Sequence, residues 1–409
     1  MIRRFRSALF ISAAGALASC GESFGPIEGL PRELSIAEGK LVDADNRFAF
    51  KLFREVATQE DDGSNVFLSP LSVGMALGMT YNGAAGTTRE AMQQTLELDG
   101  MTIQEVNEAY QGLIALLKNL DPRVEFTLAN SIWYRDGVPI VPDFVDRNQQ
   151  YFDAQVTALD FSDPGAADVI NGWVNDQTRG KIPDIVDPPI NPLTFMFLIN
   201  AIYFKGDWTY QFDKDLTRSE PFLLSDGSQT TVPMMSQSDE IPIRVFRDGE
   251  HTVVDLFYGG QAFSMTIVVP DDAASISTLA QNLTDTQWHS WTIDLDSTES
   301  FVSIPKFTLE YEIELNAVLE ALGMELAFTP GAADFTNMVA TGGAYIEKVK
   351  HKTFVEVNEE GTEAAAVTSV EMGLTSAPPV VRIDRPFLFA IRENYSGTIL
   401  FMGKIVDPS

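Results

Sequence analysis

Glu359-Glu360-Gly361-Thr362-Glu363-Ala364-Ala365-Ala366-Val367 is the most informative run in the chain. It follows a strand-like run in which Val349, His351, Thr353, Val355 and Val357 alternate with Lys350, Lys352, Phe354 and Glu356, and then the side chains shrink abruptly. Gly361 offers a backbone pivot. Thr362, Ala364, Ala366, Thr368 and Val370 form one alternating face of small or β-branched residues, able to slide into the interior of a sheet. Taken alone, the segment reads equally as an alanine-rich helix or an exposed loop.

The surrounding sequence narrows the choice. Seventeen residues counted from Glu359 reach Thr375 and Ser376, followed by Ala377-Pro378-Pro379 and by Val381-Arg382-Ile383-Asp384-Arg385-Pro386-Phe387-Leu388-Phe389-Ala390-Ile391. Further upstream stand Asn65-Val66-Phe67-Leu68-Ser69-Pro70-Leu71-Ser72, Leu198-Ile199-Asn200-Ala201-Ile202-Tyr203-Phe204-Lys205-Gly206-Asp207-Trp208 and Ile304-Pro305-Lys306, with Phe401-Met402-Gly403-Lys404 near the end. In this order, over residues 40 to 409, the motifs resemble those of the serpins, the serine protease inhibitor family. The resemblance implies one α+β domain, residues 41–409, with a large central β-sheet, further sheets, about eight to nine helices and an exposed reactive-centre loop at about residues 359–380. It also implies a suicide-substrate inhibitor of serine proteases, with a non-inhibitory, lipid-anchored binding protein as the alternative.

Family correspondence also assigns roles. Glu359, Gly361, Thr362, Ala364, Ala365 and Ala366 fall on the hinge of the loop, and Thr375–Ser376 on the reactive bond, or Leu374–Thr375 if the register is one residue earlier. Ser69, Ser72, Asn200 and His351 fall on the shutter, the polar groups under the centre of the main sheet. Trp208, Lys306 and Glu359 fall on the breach, where loop insertion begins, with Lys306 and Glu359 as a surface ion pair worth about 0 to 1 kcal/mol. Without the resemblance, Asn200 and His351 are polar interruptions in apolar strands, each locally satisfied or carrying a penalty of roughly 1 to 3 kcal/mol. Thr375 suits an elastase-like or subtilisin-like target, and cleavage after Leu374 a chymotrypsin-like or cathepsin G-like one. The face of Thr362, Ala364, Ala366, Thr368, Val370, Met372 and Leu374 carries no charge, while Glu363 and Glu371 have the opposite parity, which favours an inhibitor. Seventeen inserted residues at about 3.3 Å each would carry a tethered protease on the order of 55 Å.

Composition removes other classes. The 409 residues carry 28 Lys and Arg against 58 Asp and Glu, a net charge of −30, which argues against nucleic acid or an anionic membrane as a charge-driven partner. The three histidines, His251, His289 and His351, offer no metal-binding spacing, and no nucleophile elbow or phosphate-binding loop is present. No enzyme, metal or cofactor is expected. Heparin control is not expected either, because the helix at Ile103 to Leu120 carries Lys118 but no basic stripe. A monomer is expected.

Residues 1–19 place Arg3, Arg4 and Arg6 before the apolar stretch Ala8 to Leu17, too short to span a bilayer, and read as a secretory signal peptide. Leu17-Ala18-Ser19-Cys20 resembles a bacterial lipobox, in which Cys20, the single cysteine, is acylated and anchors the chain to a membrane. Ordinary cleavage and soluble secretion is the competing reading. Residues 20–40, with Gly21, Gly25, Pro26, Gly29, Pro31 and Gly39, read as a flexible tether. Secretion with attachment at the cell envelope, in the outer membrane of a Gram-negative host, or release to the extracellular space is expected.

Local patterns predict helices at Asp43–Ala57, after the Ser69-Pro70 cap, at Pro142–Tyr151 and at Glu314–Leu322. Strands are predicted at Phe126–Tyr134, Thr194–Phe204, Ala262–Pro270, Phe301–Ile304, Ala344–Asn358, Phe387–Ile391 and Ile399–Ile405.

Overall fold

A computed structural model describes residues 25–362 and 380–409. In chain order the strands are β1 Val66–Leu68, β2 Val124–Arg135, β3 Gln155–Leu159, β4 Met196–Asp207, β5 Asp213–Leu223, β6 Gln229–Ser236, β7 Ile241–Arg247 and β8 His251–Tyr258. They continue as β9 Phe263–Pro270, β10 Asp296–Pro305, β11 Phe307–Glu314, β12 Lys350–Val357, β13 Gly361–Thr362, β14 Val380–Arg382, β15 Phe387–Glu393 and β16 Ile399–Ile405. Among the described residues the helices of seven residues or more are α1 Ile36–Gln59, α2 Pro70–Tyr81, α3 Gly86–Thr95, α4 Ile103–Lys118, α5 Pro142–Phe152, α6 Ala166–Gln177, α7 Ile276–Asn282 and α8 Asp285–Ile293.

The central sheet has six strands in the order β11-β12-β13-β4-β2-β3. The rest form a ten-stranded sheet, β1-β16-β15-β9-β8-β7-β10-β6-β5 with β14 beside β10. This is the expected α+β architecture. Both faces of the central sheet are covered. Ile170 and Val174 of α6, with Ile182, Val186 and Ile190 behind it, pack on Trp133 and Ile199, while α2 and the aromatic core around Phe67, Phe389 and Phe401 lie beneath. That double cover explains the nearly continuous apolar runs of β2 and β4.

Capping works as its chemistry predicts. The Ser69 hydroxyl accepts from Ser72 N at the start of α2, with Pro70 in the first turn. Ser35 and Glu38 cap each other at the head of α1, so this helix starts at Ile36, well before Asp43.

Three expectations are corrected here. Residues 25–35 do not hang as a tether. Ile27 N donates to Gly260 O at 2.8 Å, Arg32 bonds Glu38 at 2.8 Å and Gly112 O at 3.3 Å, and Ile27, Leu30 and Leu34 pack on the core. The helix expected at Glu314–Leu322 and closed by Gly323 starts two residues late: Glu314 ends β11, the helix runs over residues 316–322, and Gly323, with a φ of 113°, ends it before a separate short turn at Glu325–Phe328. The strand predicted from Ala344 begins only at Lys350.

Candidate functional site

The chain leaves β12 at Val357 and turns back through Asn358. The Asn358 carboxamide oxygen accepts from Glu360 N at 3.1 Å and Gly361 N at 3.3 Å, and Asn358 N donates to Gly361 O at 2.9 Å. Such a local side-chain turn is what asparagine is suited to. The turn delivers β13 between two strands, with Thr362 opposite Val357 on one side and Gly206 on the other. Gly361 therefore has a different role from the pivot expected of it. It is not among the residues with positive φ, and a Cβ on it would lie 2.2 Å from Gly206 O and 2.6 Å from Asp207 Cα. Glycine is needed for close backbone approach.

Thr362 is already inside the sheet, 3 % exposed, its hydroxyl sharing a 2.8 Å hydrogen bond with Tyr258 OH. Tyr258 is fully buried and stacks on Trp208 at 4.4 Å, and burial pushes its phenol well above the ordinary range. Trp208 in turn holds the turn, its indole donating to Asn358 O at 2.9 Å and its backbone N to Glu360 O at 2.8 Å.

Glu359 meets Lys306 Nζ at 2.9 Å and Thr217 Oγ1 at 2.8 Å. The carboxylate side chain is only 7 % exposed while the lysine is 42 % exposed, so this is a half-buried bridge and not the surface pair expected. Burial alone would raise the Glu359 carboxyl, but the hydrogen bonds from Lys306 and Thr217 and the lysine's charge outweigh it and hold the group below its ordinary value. Glu360 points to a second cation, pairing with Lys214.

Below Thr362 no backbone ladder joins β4 to β12 among the described residues, and spaces between the two strands continue along the sheet. An upper gap lies between Ile202–Phe204 and Phe354–Glu356, with Thr362 at its head and Thr178–Ile182 over it. A middle gap is flanked by Asn200 and His351, with Ser69, Ser72 and Phe401 below. At the far end opens a cavity of about 310 Å³ between Phe195–Asn200 and Tyr345–Lys352, roofed by Ile185–Asn191.

The four polar residues under the sheet form one connected set. Ser69 N donates to His351 Nε2 at 3.0 Å, Ser69 Oγ donates to Leu400 O at 2.8 Å, and Ser72 Oγ donates to Asn200 O at 3.3 Å. The head of α2 thus reaches β12 through His351 and β4 through Asn200. Because Nε2 accepts, the imidazole is neutral with its proton on Nδ1. Burial lowers its pKa to about 4. The Asn200 amide donates to Asn130 Oδ1 at 2.7 Å, and Asn130 donates to Phe152 O at 2.7 Å. Thr353 Oγ1 ties β12 to Phe67 O at 2.7 Å.

Sequence reasoning missed Tyr258, Asn358, Thr217, Lys214, Asn130 and Thr353. Asn130 carried the same signal as Asn200, a polar residue inside an apolar strand; the others have none until the chain is folded. Ala364, Ala365, Ala366, Leu374, Thr375, Ser376 and Cys20 lie outside the described residues. No group of three His, Cys, Asp or Glu residues among the described residues is arranged to hold a metal.

The fold and these contacts define a class. The model of the serpin (serine protease inhibitor) family matches residues 43–408, and the chain belongs to that family. It is 36 % identical over 380 residues to the leukocyte elastase inhibitor of Homo sapiens, covering 90 % of this chain and all of that one. Serpin B8 of Homo sapiens is 35 % identical over 378 residues, covering 90 % and 99 %. Among solved structures, the thermophilic serpin tengpin in its native state matches with a TM-score of 0.81 at 30 % identity, covering 93 % of this chain and 97 % of that one. Thyroxine-binding globulin in complex with thyroxine matches at 0.82 and 28 % identity, covering 90 % and 100 %.

Proposed function

We propose that this chain is an inhibitory serpin that traps serine proteases by cleavage and insertion of its reactive-centre loop, and that it is held at a membrane through acylated Cys20. The observation that carries the inhibitory reading is Thr362, seated between β12 and β4, with no backbone ladder joining those two strands below it among the described residues. Thr362 faces the same side as Gly206 and Val357, so continued alternation turns Ala364, Ala366, Thr368, Val370, Met372 and Leu374 inward and leaves Glu363 and Glu371 outward. An uncharged inward face can enter between such strands without leaving a buried ion.

The chemistry belongs to the protease. Its serine hydroxyl adds to the Thr375 carbonyl carbon, the Thr375–Ser376 bond breaks, Ser376 departs as an amine, and Thr375 remains as an ester on the protease. The loop then adds a strand, a mode of strain release known for this family. Since residues up to Thr362 are already in the sheet, insertion has Glu363 to Thr375 left to run, thirteen residues or about 43 Å. The distance of about 55 Å expected from seventeen residues includes some that have no distance left to travel. Deacylation is slowed if the protease is distorted at the far end.

Relatives named as leukocyte elastase inhibitors and the small Thr375 both favour an elastase-like or subtilisin-like target, and Leu374 a chymotrypsin-like one. Mixing the mature protein with such proteases should give a stable 1:1 covalent adduct on a denaturing gel, with cleavage between Thr375 and Ser376. Clean turnover of the loop by every protease in a broad panel would refute inhibition and leave the binding-protein reading.

A further inference from the structure

The segment from Gly25 to Ser35 leads away from one end of the molecule. Ile27 is pinned from both sides, its N–H donating to Gly260 O at 2.8 Å and its carbonyl accepting from Tyr395 OH. Gly25 O accepts from an Arg123 guanidinium nitrogen at 3.4 Å. The next residue, Val124, pairs with Gly206, which pairs with Thr362. On the other flank Gly259 N donates to Asp207 O at 2.8 Å, and Tyr258 holds Thr362. The strap therefore ends beside the mouth of the sheet, at the pole where the loop begins.

Only Gly21, Glu22, Ser23 and Phe24 separate Cys20 from Gly25. Five peptide steps of fully extended chain reach at most roughly 18 Å. The opposite end of β4, at Met196, lies ten residues and roughly 33 Å from Gly206 along the strand. An anchor on so short a leash at one pole cannot let the molecule turn freely.

We infer that the anchored protein stands with its loop pole toward the lipid surface, so that the loop is offered to proteases working close to that surface. This rests on acylation of Cys20, part of the function proposed above, but not on protease trapping. The strap takes the place of the floating tether expected from its glycines and prolines.

The test uses the full-length lipidated protein in phosphatidylcholine vesicles that carry an energy-acceptor lipid. Cys20 is the only native cysteine and is blocked when acylated, so an added cysteine takes the donor dye alone. Leu216→Cys marks the loop pole, next to Thr217, which bonds Glu359; Leu193→Cys, just before β4, marks the other pole, and both side chains are exposed. Energy transfer should be at least about twofold greater from position 216 than from 193, given an anchor reach roughly half the pole-to-pole distance. Inserting about twenty Gly/Ser residues between Phe24 and Gly25 should abolish the difference. Equal or reversed transfer in a protein whose intact mass shows the lipid would overturn the orientation while the anchor stood. A mass without lipid would remove the anchor and the orientation together, with the inhibitory reading still open to the gel.

Discussion

Acidification should act on the sheet through His351, and comparison with His351→Gln isolates the effect. The imidazole is buried and accepts the Ser69 N–H through Nε2. Protonation turns that acceptor into a donor and creates a charge beneath the sheet. With the folded pKa near 4 and the ordinary value 6.5, the group is a depressed base. Its contribution to stability is complete above pH 6.5, declines as pH falls toward 4, and is gone below. About 2.5 pH units at 1.36 kcal/mol each is roughly 3 kcal/mol, a large share of the 5 to 15 kcal/mol typical of a folded domain. The wild-type pH profile alone will not display it. Asp45, buried under Tyr110 with its carboxyl pushed up to about 7, changes in the opposite sense, because its native neutral form gains stability as pH falls from 7 toward 3.8. The glutamine of the His351→Gln variant keeps an acceptor for Ser69 but does not titrate, so Asp45 cancels from the comparison. In urea unfolding from pH 7.5 to 4, the stability of wild type relative to His351→Gln should fall by roughly 3 kcal/mol, with most of the change between pH 6 and 4. A difference independent of pH would refute the neutral, buried acceptor.

Two further substitutions probe loop entry into the sheet. Gly361→Ala puts a methyl 2.2 Å from Gly206 O and should expel β13 from the sheet, seen as faster hydrogen exchange across Val357, Gly206 and Asp207 and as lost Tyr258–Thr362 contact in tyrosine fluorescence; unchanged exchange would show that close approach is not what selects glycine. Ala366→Arg would push a guanidinium into the inward row, where an unpaired ion costs several kcal/mol, so the variant should be cleaved as a substrate with little adduct, whereas undiminished trapping would show that this face does not enter the sheet. Position 366 is the better choice than 362, since an arginine at Thr362 would already disrupt the uncleaved protein.

The approach of the chain to Thr362 was legible because a strand imposes a period of two, and a period is a property of consecutive residues. The same holds for the covered strands β2 and β4, for the Ser69-Pro70 cap, and for Asn200 and His351 as polar exceptions that needed partners. Strand β5 gave no comparable signal. In β5 only Phe222 is fully buried, and a strand so wet has little hydrophobic alternation to read.

The motifs pointed to the family, and the polar exceptions in apolar strands pointed to Asn200 and His351 beneath the sheet. What those groups touch came from folding. Ser69 and His351 stand 282 residues apart in the chain, and Trp208 and Asn358 stand 150 apart. Folding also decided that Gly361 serves close approach and not a turn, that Glu359 is buried in its ion pair, that Thr362 is already seated, and that Gly25–Ser35 is bound to the domain. The physical reason is one of range. Periodicity, caps and turns arise among neighbours in sequence, whereas burial and hydrogen-bond partners depend on distant segments meeting, and a glycine-rich stretch reads as a tether until a surface is found that holds it.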